Sequence, residues 1–182
     1  TIPVGVPDER QKKFYTLVLK GMIDLSMAHF PEGTRGSSLD ILARGPLYNE
    51  GAMYYHGTGH GIGHYLCVHE GPQSIRREEN PVTLKAGMVI SNEPAVYFEG
   101  EYGIRTENVI AVREAEATRF GSFYCFETFT LVPISLSAID KSLLTDAEIA
   151  WINDFHTRVF KKISPLLDAE EKDWLEKATA RL

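Results

Sequence analysis

Apolar residues recur at Phe14, Leu17, Val18, Gly21, Leu25 and Ala28, with Lys12, Lys13, Lys20 and Asp24 on the other faces. That is the 3.6-residue period of an amphipathic helix. The helix is predicted to stop near Phe30, because Pro31 disfavours helical geometry in the residue before it and Gly33 follows. A second helix is predicted from a cap at Ser37-Ser38, with Leu39, Leu42, Ala43 and Leu47 on one side, a kink at Pro46 and an end near Gly51. From Tyr54 to Pro72 the glycine density is too high for a stable helix and suits strand and loop that bend tightly around something.

Two β-rich runs follow, Met88 to Phe98 and Gly103 to Arg113. Glu99-Gly100-Glu101 between them reads as the connection of an antiparallel hairpin. A third run, Phe123 to Pro133, is dense in aromatic and β-branched residues and is expected to join or flank the same sheet. Thr145 and Glu148 have the spacing of a capping box, and Ile152, Phe155, Val159 and Ile163 continue at helical spacing to about Ser164. Pro165 ends that helix. Asp168 with Glu171 repeats the capping pattern ahead of Trp174, Leu175, Ala178 and Leu182. Trp151, Phe155 and Trp174 read as core or subunit interface rather than as a ligand box.

Composition places this pattern in a folded, water-soluble class. Of 182 residues, 43% are hydrophobic and 24% charged, which are ordinary values for a globular domain. No apolar run approaches the roughly 20 residues that span a bilayer. The net charge of −6 comes with no basic block, which argues against a nucleic-acid partner. Cys67 and Cys125 are too few for a disulfide framework and point to a cytoplasmic setting. Thr1 to Gly5 lacks the layout of a secretory signal, so the start reads as a cut.

The chemistry concentrates in two places. Of the six histidines, His56, His60, His64 and His69 crowd into H-G-T-G-H-G-I-G-H-Y-L-C-V-H-E-G-P. In an extended chain His56, His60 and His64 would project to one side, and the glycines between them permit close approach of a ligand. Neutral imidazole is the commonest transition-metal ligand; solvated histidines on a surface loop are the other reading. Glu93 and Glu107 fall in runs that otherwise read as core, where a buried carboxylate is costly unless it meets a cation or strong donors. A metal is one solution. Arg105, two residues before Glu107 and on the same strand face, is another.

H-G-T-G-H-G-I-G at His56–Gly63, V-H-E-G-P at Val68–Pro72, N-E-P at Asn92–Pro94 and G-I-R-T-E-N at Gly103–Asn108 resemble, in order, the signature of the pita-bread metallopeptidases. That family includes methionine aminopeptidase, prolidase and aminopeptidase P. With F-P-E-G-T-R-G at Phe30–Gly36 and F-E-T-F-T-L-V-P-I at Phe126–Ile134, the wording is most similar to the long, three-domain aminopeptidase P. The resemblance implies an α+β fold: the second half of a pita-bread domain, helices packed on a curved antiparallel sheet, over residues 1–114. A C-terminal extension of a strand and two helices would then occupy residues 115–182.

The same resemblance implies His60, Glu93 and Glu107 as metal ligands, with Glu107 bridging two divalent ions, most naturally manganese. It also implies His56 and His69 as groups contacting the scissile carbonyl and substrate, and Arg105 as a residue beside the proline pocket. Catalysis would then fall to His56, His69 and Glu93, and the reaction would be hydrolysis of an N-terminal Xaa-Pro bond by a hydroxide between the metals. His64 stands where the family usually has a small residue and receives no catalytic role, and Ala95 replaces a common glycine. The family's two aspartate ligands are expected upstream of Thr1. The isolated chain is therefore expected to be inactive, with none or one weakly held ion. Expected partners are peptides with proline second and a second copy of the chain, with neither nucleic acid nor membrane. A prolidase-type dipeptidase and a non-catalytic pita-bread binding module are the alternatives.

Overall fold

The computed structural model describes residues 1–65 and 67–182. Its elements are α1 (Glu9–Ser26), β1 (Phe30–Pro31), α2 (Gly36–Tyr48), β2 (Gly59–His60), β3 (Ser74–Ile75), β4 (Val89–Asn92), β5 (Ala95–Phe98), β6 (Tyr102–Arg105), β7 (Asn108–Glu114), β8 (Phe123–Thr128), α3 (Asp146–Ile163) and α4 (Ala169–Ala178). The class is α+β, as expected. Two compact units divide the chain, one of residues 18–130 and one of residues 1–17 with 131–182. The division differs from the boundary at 114 read from sequence, because β8 is hydrogen-bonded into the sheet of the first unit.

In the unit of residues 18–130, four strands run in the order β1-β8-β7-β4, all antiparallel. Leu25, Phe30, Ile75, Leu84, Ile90, Ile110 and Val112 pack together beneath them. The first helix ends four residues earlier than its apolar pattern suggests. Ser26 turns its hydroxyl back to the Met22 carbonyl (2.7 Å), and Phe30 pairs with Tyr124 instead of extending the helix. Its ring is buried 5.0 Å from that of Phe126. The second helix starts at Gly36 without a side-chain cap, rather than at Ser37-Ser38, and carries Pro46 inside it. Gly36 is required there, since a Cβ would lie 1.9 Å from the Ser74 carbonyl oxygen.

The two β-rich runs form one hairpin with a gap in its middle. β4 pairs with β7 and β5 with β6, and the register is the same on both sides of the gap. Glu93 therefore stands opposite Glu107, and Pro94 opposite Thr106. Pro94 has no N–H to give to the ladder. The Glu93 N–H leaves it too, donating to the Thr58 carbonyl (2.8 Å) in the histidine segment. Glu93 and Glu107 are thus released from regular strand geometry, which corrects the reading of both as residues within strands.

In the other unit both expected capping boxes are present, Thr145 with Glu148 on α3 and Asp168 with Glu171 on α4. Ile152, Phe155, Val159 and Leu175 are buried, and Trp151 stacks on Phe155 at 5.2 Å. Trp174 remains 63% exposed. No helix among the described residues is long and apolar enough to cross a membrane, and both cysteines are free thiols.

Candidate metal and active site

The histidine segment is threaded between neighbouring backbones, and its glycines make that possible. A Cβ on Gly59 would lie 1.9 Å from the Ser91 carbonyl oxygen, and one on Gly61 2.0 Å from that of Glu70. A side chain at Gly59 would push the segment off β4, and one at Gly61 would force it away from Glu70. Held this close, His60 donates its N–H to Ser91 Oγ (3.0 Å), and the same hydroxyl donates to Glu93 Oε1 (2.9 Å).

His60 Nδ1 lies 3.0 Å from the Gly61 carbonyl, which only accepts, so this nitrogen carries a proton. Nε2 then faces Glu93 Oε1 at 3.2 Å. A nitrogen lone pair and a carboxylate oxygen at that separation repel unless a proton or another cation lies between them. Glu93 is 8% exposed, and its other oxygen meets Arg105 Nη1 at 3.2 Å.

Arg105 also donates Nε and Nη2 to the Tyr97 hydroxyl (3.0 and 2.6 Å). Both lone pairs of that oxygen are then used, leaving its proton for His56 Nε2 at 3.0 Å. The assignment is consistent, because His56 Nδ1 lies 2.8 Å from the Gly57 carbonyl and is the protonated nitrogen. The Tyr97 hydroxyl first, and after it the Glu93 and Glu107 charges, hold the Arg105 pKa above its ordinary value against partial desolvation. Gly103 lets the Tyr97 ring lie across the paired strand, since a Cβ there would come within 2.9 Å of it.

A cavity of about 370 Å³ is lined by His56, His60, His69, Arg76, Glu93 and Arg105, among others. The His69 ring is 4.2 Å from that of His60. Five residues singled out from sequence thus share one wall. Glu107 does not line it; it is exposed, and the expectation that it would be buried is not met. Its charge nonetheless acts on the Arg105 guanidinium. His64 is exposed beside Tyr65. Tyr97, Ser91 and Arg76 were not singled out from sequence. Tyr97 and Ser91 lie at even spacing from Glu93, the one signal that would have found them.

Among the described residues no group of three or more His, Cys, Asp or Glu side chains is set to hold a metal ion. The donor set nonetheless fits a divalent cation in kind: an imidazole with its proton fixed on the far nitrogen and a buried carboxylate converge on one point. By register a further carboxylate, Glu107, stands opposite Glu93.

The model of metallopeptidase family M24 matches residues 1–114, and that of the C-terminal region of peptidase M24 matches residues 122–182. The chain belongs to metallopeptidase family M24. A probable Xaa-Pro aminopeptidase P of Arthroderma otae is 47% identical over 98% of this chain and 30% of its own length. That of Coprinopsis cinerea is 46% identical over 96% of this chain and 29% of its own. The X-prolyl aminopeptidase of Caenorhabditis elegans, described as a cytosolic enzyme with a di-nuclear active site, superposes with a TM-score of 0.91 at 42% identity, over 98% of this chain and 30% of that one. A Xaa-Pro dipeptidase of Bacillus anthracis gives a TM-score of 0.59 at 31% identity, over 74% of this chain and 35% of its own. The fold is therefore the pita-bread metallopeptidase architecture in its second half, and the chain spans about 30% of the length of the curated relatives it matches.

Proposed function

We propose that the full-length protein carrying this chain is a Xaa-Pro aminopeptidase that removes the first residue from peptides with proline second, using two divalent cations, manganese by preference. The convergence of His60 Nε2 and Glu93 Oε1 at 3.2 Å in an M24 fold carries the metallopeptidase reading. Choice of the aminopeptidase over the dipeptidase rests on likeness to aminopeptidase P relatives through the C-terminal residues, at 98% coverage against 74%.

His60, Glu93 and Glu107 are the side chains of this chain that would hold the cations. Cations there supply Lewis acidity, which activates water and polarises the scissile carbonyl. Glu93 takes a proton from the attacking water and returns it to the proline nitrogen, which leaves as a secondary amine and must be protonated to do so. His69 stabilises the charge growing on the carbonyl oxygen, and His56 contacts the substrate by exchanging the Tyr97 hydroxyl at its Nε2 for a substrate N–H. Arg105 flanks the proline ring while steadying Glu93. We further propose a cytoplasmic homodimer joined through the C-terminal residues, with no nucleic-acid or membrane partner.

Full-length protein should be loaded with manganese, zinc or cobalt in turn and assayed on an Xaa-Pro-Xaa peptide, an Xaa-Pro dipeptide and a peptide with alanine second. Cleavage of the first alone, at two bound ions per chain, is the expected result. Turnover confined to the dipeptide would make the protein a prolidase. Absence of stoichiometric metal would make it an interaction scaffold.

A further inference from the structure

A buried ion pair with no part in the proposed chemistry lies on α2, facing the histidine segment. Asp40 and Arg44 are 2% and 1% exposed, and Arg44 Nε donates to Asp40 Oδ2. Charges this deep are tolerated only when they are paired and each charged-group nitrogen and oxygen is hydrogen-bonded. Arg44 meets that demand by donating Nη1 to the Tyr54 carbonyl (2.7 Å) and Nη2 to the His56 carbonyl (2.8 Å), with its guanidinium 3.9 Å above the centre of the Tyr54 ring. Asp40 meets it by accepting the Thr58 hydroxyl at Oδ1 (2.6 Å). The Thr58 proton being so used, the Tyr54 hydroxyl is the donor in its 2.6 Å bond to Thr58.

Residues 54–58 belong to no strand, so their carbonyls have no ladder to bond to. One helical turn of α2 supplies that ladder's place, gripping the chain at Tyr54, His56 and Thr58. The grip reaches further, because the Thr58 carbonyl accepts the Glu93 N–H that left the β4–β7 pairing. The backbones of His56 and Glu93, which approach the cavity from different elements, are thereby referred to one buried ion pair.

We propose that Asp40 and Arg44 are positioning residues for hydrolysis: they set where His56 stands relative to Glu93. The proposal rests on the aminopeptidase reading above for its kinetic arm only. Lysine at position 44 keeps the charge but has a single nitrogen, unable to serve Asp40 and two carbonyls at once.

The test is Arg44→Lys in the metal-loaded, full-length protein. Turnover (kcat) on an Xaa-Pro peptide should fall about 10- to 100-fold, with KM and bound metal within about two-fold of wild type. In a His56→Ala background the same substitution should cost less than about three-fold, because its effect passes through His56. A crystal structure of Arg44→Lys should show the His56 ring displaced from Tyr97. Unchanged kcat with a lowered melting temperature would reduce the pair to fold stability and overturn the proposal. An equally large loss without His56, or a His56 ring left in place, would overturn it as well. Wild-type protein that cleaves no Xaa-Pro peptide while Arg44→Lys displaces His56 would remove the aminopeptidase reading and sustain the positioning role. Should Arg44→Lys not fold, Thr58→Val keeps the side-chain volume, removes the hydroxyl between Tyr54 and Asp40, and is read by the same measurements.

Discussion

His60 is held from three sides: its N–H by Ser91, its Nδ1 by Gly61, and its Nε2 against Glu93. A side chain so constrained has the direction of its Nε2 fixed in advance; on the proposed ligand set, His60→Ala, Glu93→Ala and Glu107→Ala in the full-length protein should each abolish turnover and lower bound metal. His56→Ala should leave the metal content intact and reduce the rate alone, since its ring is tied to Gly57 and Tyr97 rather than to Glu93. Elemental analysis beside kinetics separates the two outcomes, and His60→Ala protein with normal metal and rate would sink the assignment. Gly59 is as exacting as the proposed ligand it precedes. Gly59→Ala must displace a backbone oxygen 1.9 Å away, should cost about 1–3 kcal/mol in a urea melt, and should loosen His60 with it. The histidine cluster and both glutamates were legible in the sequence because clustering and motif order are one-dimensional properties. Tyr97, Ser91 and the Asp40–Arg44 pair were not, because their roles depend on which strand or helix lies alongside.

Elements whose signals are local were legible to within a residue or two. Both capping boxes appear where Thr145-Glu148 and Asp168-Glu171 put them, since each satisfies its own backbone donors within one turn. The end of α1 and the start of α2 were misjudged for one reason. Phe30 pairs with Tyr124, and Gly36 lies against Ser74, so distant segments decide where those helices stop and begin. α3 carries a comparable long-range tie in His156, which is buried between two backbone groups. Its Nε2 accepts the Ile134 N–H (3.0 Å), so its Nδ1 is the nitrogen that donates to the Ala180 carbonyl (3.1 Å). Burial lowers its pKa below the ordinary value near 6.5, outweighing the bond to the Ala180 carbonyl, which acts upward. Protonation at Nε2 would also set N–H against N–H. The unfolded chain therefore binds the proton more readily, so the stabilisation from neutral His156 is complete above about pH 6.5 and lost as pH falls toward the folded pKa. The melting temperature of the full-length protein should drop between about pH 7.5 and 5, and the drop should be shallower in His156→Gln. Parallel curves for the two proteins would show that another group governs the acid limb.

At the scale of the molecule, the compact units cut across the family's own division, which falls between residues 114 and 122. β8 belongs by sequence to the C-terminal region and by hydrogen bonding to the sheet. Beyond it, Leu131, Val132, Ile163, Leu167 and Trp174 line a groove of about 690 Å³ in which Val132 and Trp174 are 62% and 63% exposed. Apolar surface of that kind supports the proposed homodimer, and deletion of residues 137–182 from the full-length protein should leave it monomeric or poorly soluble; sedimentation of an intact dimer would refute this. Charge decides a sharper expectation. Two divalent cations carry four positive charges, and the ligand set proposed above draws from this chain the carboxylates Glu93 and Glu107 and the imidazole of His60. Half the cationic charge would stay uncompensated. Geometry adds to the deficit, since Glu93 is already engaged by Arg105 and Glu107 is exposed, outside the cavity wall. The 182-residue chain alone should therefore hold at most one ion, weakly, and hydrolyse no Xaa-Pro peptide. Titration with manganese, reading bound metal by calorimetry and turnover in the same samples, checks both halves; tight uptake of two ions with turnover near that of the full-length protein would mean that residues of this chain other than His60, Glu93 and Glu107 complete the site.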